Sequence, residues 1–295
     1  MNRILNFIHA SYAYEQGIYG RNIGVAVLDT GIFPHQDLQG RIRFFRDYIS
    51  HREKAYDDNG HGTHISGMIA ARADSSYPGI APQCSLYGFK VLDRNGNGRI
   101  QDACHAIEDI LNMNSRGYGQ IRIINISVGM TEAVQPELQK KLLESVEHAW
   151  DQGIVVLAAA GNNGPGENTV TSPGISKKII TVGSLDDGTE DVSGNRRRGG
   201  YSGRGPTECC VVKPEILMPG TNIVSCANYP GGYSRKSGTS MAVPVLTGMI
   251  ALLLSKYPSM TPNEVKMRLF FTAVKRNIPG EQKTWGTVSL DRLLA

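Results

Sequence analysis

Residues 23–28 read IGVAVL and are followed at once by Asp29. A β-branched apolar run of this length, with no polar alternation, reads as a strand buried on both faces, and such strands belong to parallel sheets covered by helices. Four further runs share the pattern: SLYGFKVL (85–92), IRIINISV (121–128), GIVVLAAA (153–160) and KIITVGS (178–184). Helix-length segments lie between them. GRIQDACHAIEDILNMNSRG (98–117) carries Ala103, Ile107, Ile110 and Leu111 at helical spacing, and VQPELQKKLLESVEHAWDQG (134–153) does the same with Leu138, Leu142, Val146 and Ala149. Each ends at a glycine, Gly117 or Gly153, as a helix stop should. This alternation predicts an α/β fold with a mainly parallel central sheet and helices on both faces, in which ligands bind at the carboxyl ends of the strands.

A chain of 295 residues, 40% hydrophobic and 20% charged, suits one soluble globular domain spanning 1–295. No repeat or linker interrupts it, and the Gly-rich stretch 194–205 reads as a loop because a strand and a long apolar helix still follow. The net charge of +4 is spread along the chain, which argues against a nucleic-acid partner. The one dense run, Arg196-Arg197-Arg198, sits among turn formers and reads as a solvated loop tip open to nicking. Five cysteines (Cys84, Cys104, Cys209, Cys210, Cys226) show no CxxC spacing, so the sequence signals neither a zinc site nor a disulfide framework. Free thiols suit a reducing compartment. The N-terminus lacks the apolar core of a signal peptide and no window approaches 18 apolar residues, so the chain as written reads as cytoplasmic with no membrane partner. It reads as secreted only if a leader and prodomain belong in front of it.

Asp29 ends the first strand, where functional side chains collect. Three roles compete for it: a turn carboxylate capping backbone amides, half of an aspartic-peptidase pair, or the orienting group of a catalytic histidine. The pair needs two carboxylates sharing one proton, and the chain has a single DTG. In NGHGTHISG (59–67), His61 and His64 suggest metal at first, but HxxH without the glutamate of HExxH, or a third ligand, is a poor zinc signature. Ser240, in SGTSMAVPVLTGMIALLLS, precedes an apolar helix whose first turn takes Pro244; it is a helix cap or a nucleophile at a helix mouth. AAAGNNG (158–164) ends a buried strand and presents Asn162, a neutral donor suited to a charge that exists only in a transition state.

The stretches VAVLDTGI, NGHGTHISGMIAA, GIAPQCSLYGFKVLDRNGNG, IINISVG, VVLAAAGNNG, SGRGPT, KPEILMPG and SGTSMAVPVLTG together resemble the blocks of subtilisin-like serine peptidases, in family order. The resemblance runs from about residue 10 to the WGTVSLDRLL end. It implies a serine endopeptidase in which Ser240 attacks the scissile carbonyl, His61 moves the proton, Asp29 orients His61, and Asn162 with the Ser240 amide holds the oxyanion. His64 would be structural. A protein or peptide substrate would lie extended between two edge strands, Gly96-Asn97-Gly98 and Ser127-Val128-Gly129, and Asn163 with Thr171 would line the first specificity pocket. Neither pocket residue is acidic, which implies uncharged side chains before the cut.

Several features depart from the family. DRNGNG (93–98) imitates the front of an EF-hand loop, but its twelfth position is Cys104. The ARADSSYPG loop is a poor calcium loop, although Asp37 occupies a family calcium-ligand position. MAVPVL replaces the more usual MASPHV, so Val243 and Val245 make the helix start more apolar. Many relatives carry a cleaved prodomain, which is either trimmed from this sequence or dispensable for it. The rival reading is a catalytically silent or partner-dedicated protein on the same fold. The sequence signals no oligomeric state.

Overall fold

The computed structural model describes residues 1–129, 135–188, 200–275 and 283–295, so the arginine run 196–198 lies outside the described residues. Seven strands form the central sheet: β1 (Gly24–Asp29), β2 (Ile42–Asp47), β3 (Ser85–Lys90), β4 (Ile121–Ile126), β5 (Val155–Ala159), β6 (Ile180–Ser184) and β7 (Ile216–Met218). Their order is β2-β3-β1-β4-β5-β6-β7, and every pairing is parallel. All five runs read as strands are strands. β1 and β5 are buried at every position. Successive side chains of a strand point to opposite faces, so both faces of the sheet are covered.

The covering helices work in pairs. α1 (Asn2–Phe7) and α2 (Ser11–Tyr14) precede the sheet; α3 (His61–Ala70) packs on α6 (Thr239–Lys256), and α4 (Ile100–Ser115) packs on α5 (Pro136–Asp151). α7 (Pro262–Thr272) and α8 (Leu290–Leu293) close the chain. In α5 the expected stripe is confirmed at Leu142, Val146 and Ala149, all buried. In α4 Ile107 and Ile110 are buried, whereas Ala103 and Leu111 lie at the edge of the stripe. Gly117 and Gly153 both have positive φ just past their helices, +71° and +87°, which is why glycine stands there.

α6 is apolar all round and nearly every residue of it is buried, including Val243 and Val245. Contrary to the expectation from the sequence, it is long and apolar enough by composition to cross a membrane, yet 83% of it is buried inside the protein. Such a helix is the centre of a core. Pro244 is its sixth residue and stands inside the helix, beyond the first turn expected for it. The missing N–H therefore releases the carbonyl of Ser240 from the i→i−4 ladder.

The strand order changes direction between β1 and β4, because after β1 the chain runs to the edge strand β2, returns through β3, which pairs with both, and then crosses β1 to build β4–β7 on the other side. The crevice beyond the carboxyl ends of those two strands is where such sheets bind ligands. Asp29 ends β1 and Ser127-Val128-Gly129 follows β4, so both line this crevice.

Candidate active site

His61 is the first residue of α3, and its Nδ1 lies 2.8 and 3.0 Å from the two carboxylate oxygens of Asp29. Asp29 is fully buried and also accepts the Thr30 N–H at 2.7 Å. With Nδ1–H donated to the carboxylate, Nε2 carries the free lone pair. Burial works against the imidazolium, but the Asp29 charge and hydrogen bond outweigh it, and the His61 pKa is raised above its ordinary value.

The glycines around His61 have separate reasons. Gly60, the residue before α3, sits at φ +95°. Gly62 has no positive φ; a Cβ there would lie 2.1 Å from the carbonyl oxygen of Gly31 and 3.1 Å from Asp29 Cβ. The helix can approach β1 only because that position is bare. Gly62→Ala is expected to cost about 1–3 kcal/mol in stability, as overpacking does, and to lower activity more than a comparable change elsewhere by driving His61 from Asp29. A melting curve and a peptide-hydrolysis assay on the same variant check it.

Asp57 was not picked out from the sequence and organises the whole corner. Its Oδ1 accepts from Thr30 Oγ1 (2.9 Å), Asn59 N (3.0 Å) and Gly60 N (2.8 Å), and its Oδ2 from Thr63 N (2.9 Å) and Thr63 Oγ1 (2.6 Å). Thr30 adjoins Asp29 and donors from Asn59 to Thr63 flank His61, so one carboxylate fixes both partners. Burial alone would raise the Asp57 pKa, but these donors hold it below the usual range. Buried Lys90 adds a second clamp, donating to Thr30 O (2.6 Å), Asp58 (2.6 Å) and Leu92 O (2.9 Å). The Asp-Asp-Asn-Gly run before His61, a turn-forming cluster, is the signal that could have marked this loop.

His64 faces away from the crevice. It is fully buried, with Nε2 3.1 Å from Ile223 O and 3.2 Å from Ser234 O, and Nδ1 has no partner. Its structural role is thereby supported by contacts to the β8 (Ile223–Cys226) and β9 (Tyr233–Lys236) hairpin. Burial, helped by the nearby Lys236 and His61 charges, pushes its pKa down to about 3. A histidine depressed in the native state takes up its proton on unfolding, so it favours the native protein above about pH 6.5 and loses that contribution as the pH falls toward 3. Urea unfolding should show a stability drop on the order of 4 kcal/mol between pH 6.5 and 3 from this group alone. A flat curve over that range counts against it.

Ser240 is the second residue of α6 and partly exposed. The first N–H groups of a helix have no intrahelical partner. Here Met241 N donates to Gly238 O and Thr239 N to Asn162 Oδ1 at 3.0 Å, which leaves the Ser240 N–H. Thr239 Oγ1 also donates to Asn162 Oδ1, at 3.1 Å, so Asn162 Nδ2 is turned the other way. A Cβ built on Gly238 (φ +147°) would lie 3.3 Å from Asn162 Nδ2 and 3.8 Å from Ser240 N. Two donors thus flank one small space, open because Gly238 has no side chain. No hydrogen bond joins the Ser240 hydroxyl to His61 among the described residues; contacts of this kind often tighten only with substrate bound.

The two segments expected as edge strands carry no ladder: Gly96-Asn97-Gly98 and Ser127-Val128-Gly129 are irregular. A ladder needs a partner strand, and the protein supplies none on that side. The first closes around Asp93, which accepts from Asn95 N and Asn97 N. That is a turn, not a calcium loop. Thr171 Oγ1 lies between two backbones, where a Cβ on Gly129 would meet it at 2.1 Å and one on Gly161 at 2.5 Å. Asn163 is exposed beside Asn162. Asp37 is buried and accepts the Tyr233 hydroxyl at 2.8 Å, with His35 and Cys226 among its polar neighbours. Calcium takes six to eight oxygen ligands. This nitrogen and sulfur surrounding does not fit it.

A parallel α/β sheet that carries an Asp–His pair at the end of β1, and a serine at the mouth of α6 with an amide and a backbone N–H beside it, has the parts for acyl transfer by an activated serine. The chain belongs to the Subtilase family, whose profile matches residues 20–287. It is 42% identical to the serine protease AprX of Bacillus subtilis over 87% of this chain and 63% of that protein. Subtilisin DY of Bacillus licheniformis is 34% identical over 90% of this chain and 89% of its own. The solved structure of a cold-adapted subtilisin-like serine proteinase superposes with a TM-score of 0.74 at 26% identity, covering 92% of this chain and 88% of that one. The chain therefore spans 63% of the AprX length and most of the shorter subtilisin.

Proposed function

We propose that this protein is a serine endopeptidase acting through Asp29, His61 and Ser240, with Asn162 Nδ2 and the Ser240 N–H as oxyanion donors. The observation that carries the reading is the His61 ring held by both oxygens of Asp29, at 2.8 and 3.0 Å, with Nε2 left free as a base. Ser240 Oγ attacks the scissile carbonyl and passes its proton to Nε2, and Asp29 stabilises the imidazolium that results. The oxyanion enters the space beside Gly238. His61 then gives its proton to the leaving amine, and water repeats the sequence on the acyl-serine.

The substrate is an extended protein or peptide whose main chain pairs with residues 96–98 and 127–129; residues 127–129 carry no ladder partner in the free protein, whereas Gly96 and Asn97 there close the turn at Asp93. Asn163 and Thr171 border the pocket for the side chain before the cut, and Thr171 narrows it. Because neither is ionisable, uncharged residues of moderate size are preferred there. In a panel of peptides varying only at that position, uncharged residues are cleaved fastest; fastest cleavage after Arg or Lys refutes the pocket assignment. The decisive test is labelling by a fluorophosphonate, which reacts with an activated serine. Intact protein takes up label and Ser240→Ala does not; no labelling, or equal labelling of both, favours the silent reading of the fold. The name of one relative, the minor extracellular protease Epr of Bacillus subtilis, supports secretion rather than a cytoplasmic location.

A further inference from the structure

We propose that His35, Asp37 and Cys226 form a binding site for a divalent cation of the zinc type. Their donor atoms lie within 4.8 Å of one another, and all three residues are buried, at 1%, 6% and 0% exposure. The three come from two distant stretches of chain, the turn Gln36–Leu38 with its cap His35 and the end of β8, so no local cysteine or histidine spacing could reveal them.

The histidine is set up as a ligand. Its Nε2 is 3.0 Å from Gly232 O, so that nitrogen carries the proton and donates it, and Nδ1 keeps its lone pair toward Asp37. A ring whose outer N–H is held by a backbone carbonyl is the usual support for a metal-binding imidazole. Nδ1 now accepts only the Asp37 N–H at 3.1 Å and stands 3.8 Å from Asp37 Oδ2. The carboxylate is short of counter-charge: among the described residues no Lys or Arg forms an ion pair with it, although the Arg72 charge acts on it from a greater distance, and its one side-chain donor is the Tyr233 hydroxyl at 2.8 Å. A buried carboxylate without a cation is costly, and a bound dication removes that cost. Imidazole, carboxylate and thiolate together are a zinc set. Movements of about 1 Å bring the three donors to the separation tetrahedral zinc requires, with the Tyr233 oxygen or a water as fourth ligand.

Burial pushes the Cys226 thiol up to about 12, so without metal it is protonated. Binding replaces that proton: dication plus thiol gives the metal thiolate and one proton to solvent, with no change of oxidation state. The bound ion would tie the turn after β1 to the β8–β9 hairpin, beside α3, where a Cβ on Gly67 would already lie 2.8 Å from Cys226 Sγ.

The test is titration of the full chain with Co²⁺, with Ser240→Ala to prevent self-cleavage, followed by absorption spectroscopy and equilibrium dialysis. The readout does not depend on catalysis, so its failure is separable from failure of the peptidase reading. Expected are one retained equivalent, a thiolate-to-cobalt band in the near ultraviolet and a raised melting temperature. Cys226→Ser should abolish the band and weaken binding at least about 10-fold, and Asp37→Asn should weaken it while the band remains. No saturable uptake in the parent, uptake without the thiolate band, or a band that survives Cys226→Ser because it arises at Cys209 or Cys210 overturns the site. The parent titration stands even if a variant fails to fold.

Discussion

Ser240→Ala is expected to lower kcat on peptide substrates by about 10⁶-fold while leaving KM within a few-fold, a size taken over from subtilisin rather than derived from this geometry. The argument for so large an effect is that the serine has no substitute. The space beside Gly238 is lined by an amide and a backbone N–H, donors that stabilise an oxyanion but attack nothing. His61 without its serine can at most activate water. What survives is the contribution of binding and of the oxyanion donors, worth about 10³–10⁴ over the uncatalysed reaction. KM is spared because main-chain pairing with residues 96–98 and 127–129 does not involve the hydroxyl. Steady-state kinetics on a single peptide check both halves. A loss below about 10²-fold would mean that the serine is a cap and that the nucleophile lies elsewhere.

The parts of this site legible in the sequence are those with a local cause. IGVAVL ending in Asp29 is a buried strand whose last residue must face the crevice, and β1 lies where the strand order turns. Small residues after His61 predict close helix packing, and the 2.1 Å that would separate a Gly62 Cβ from Gly31 O is the physical form of that prediction. The edge strand β2, IRFFRD, was missed because only its last residue is buried; an edge strand has no reason to be apolar throughout. Strands β7, β8 and β9 are three or four residues long, too short for periodicity to register. Propensity puts Pro244 in the first turn because a proline inside a helix is disfavoured, and here the buried packing of α6 overrides that preference. Asp57 escaped because its five donors come from Thr30 and from residues 59–63, a convergence that exists only once α3 is docked on β1. The meeting of His35 with Cys226, 191 positions apart in the chain, is likewise a property of the fold.

Asp29→Asn should separate the two roles of the carboxylate, orientation and charge. The fold should survive, because the substitution is isosteric and the carbonyl half of the new amide can still accept the Thr30 N–H. Facing His61 Nδ1, however, the amide offers a donor as readily as an acceptor. The ring can then place its proton on Nε2, the nitrogen that must be free to take the proton of Ser240. A loss of about 10⁴-fold in kcat follows, the magnitude known from serine peptidases with this pair. The pH dependence supplies an independent reading. In the parent, Asp29 raises the His61 pKa against the effect of burial, so kcat/KM rises with pH through a value above the ordinary 6.5. The same raised pKa has the opposite consequence for stability: the protonated pair favours the native state, that contribution is complete below the unfolded pKa, and it is lost as the pH rises through the native one. Activity and this stability term therefore change in opposite directions over one pH window. With the charge removed, burial and the Lys236 charge act against only the Asp57 charge, so the acid limb of the residual activity should move to lower pH and the stability gained by protonating the pair should be lost. A variant with the parent's acid limb, however slow, would show that the limb belongs to a group other than His61.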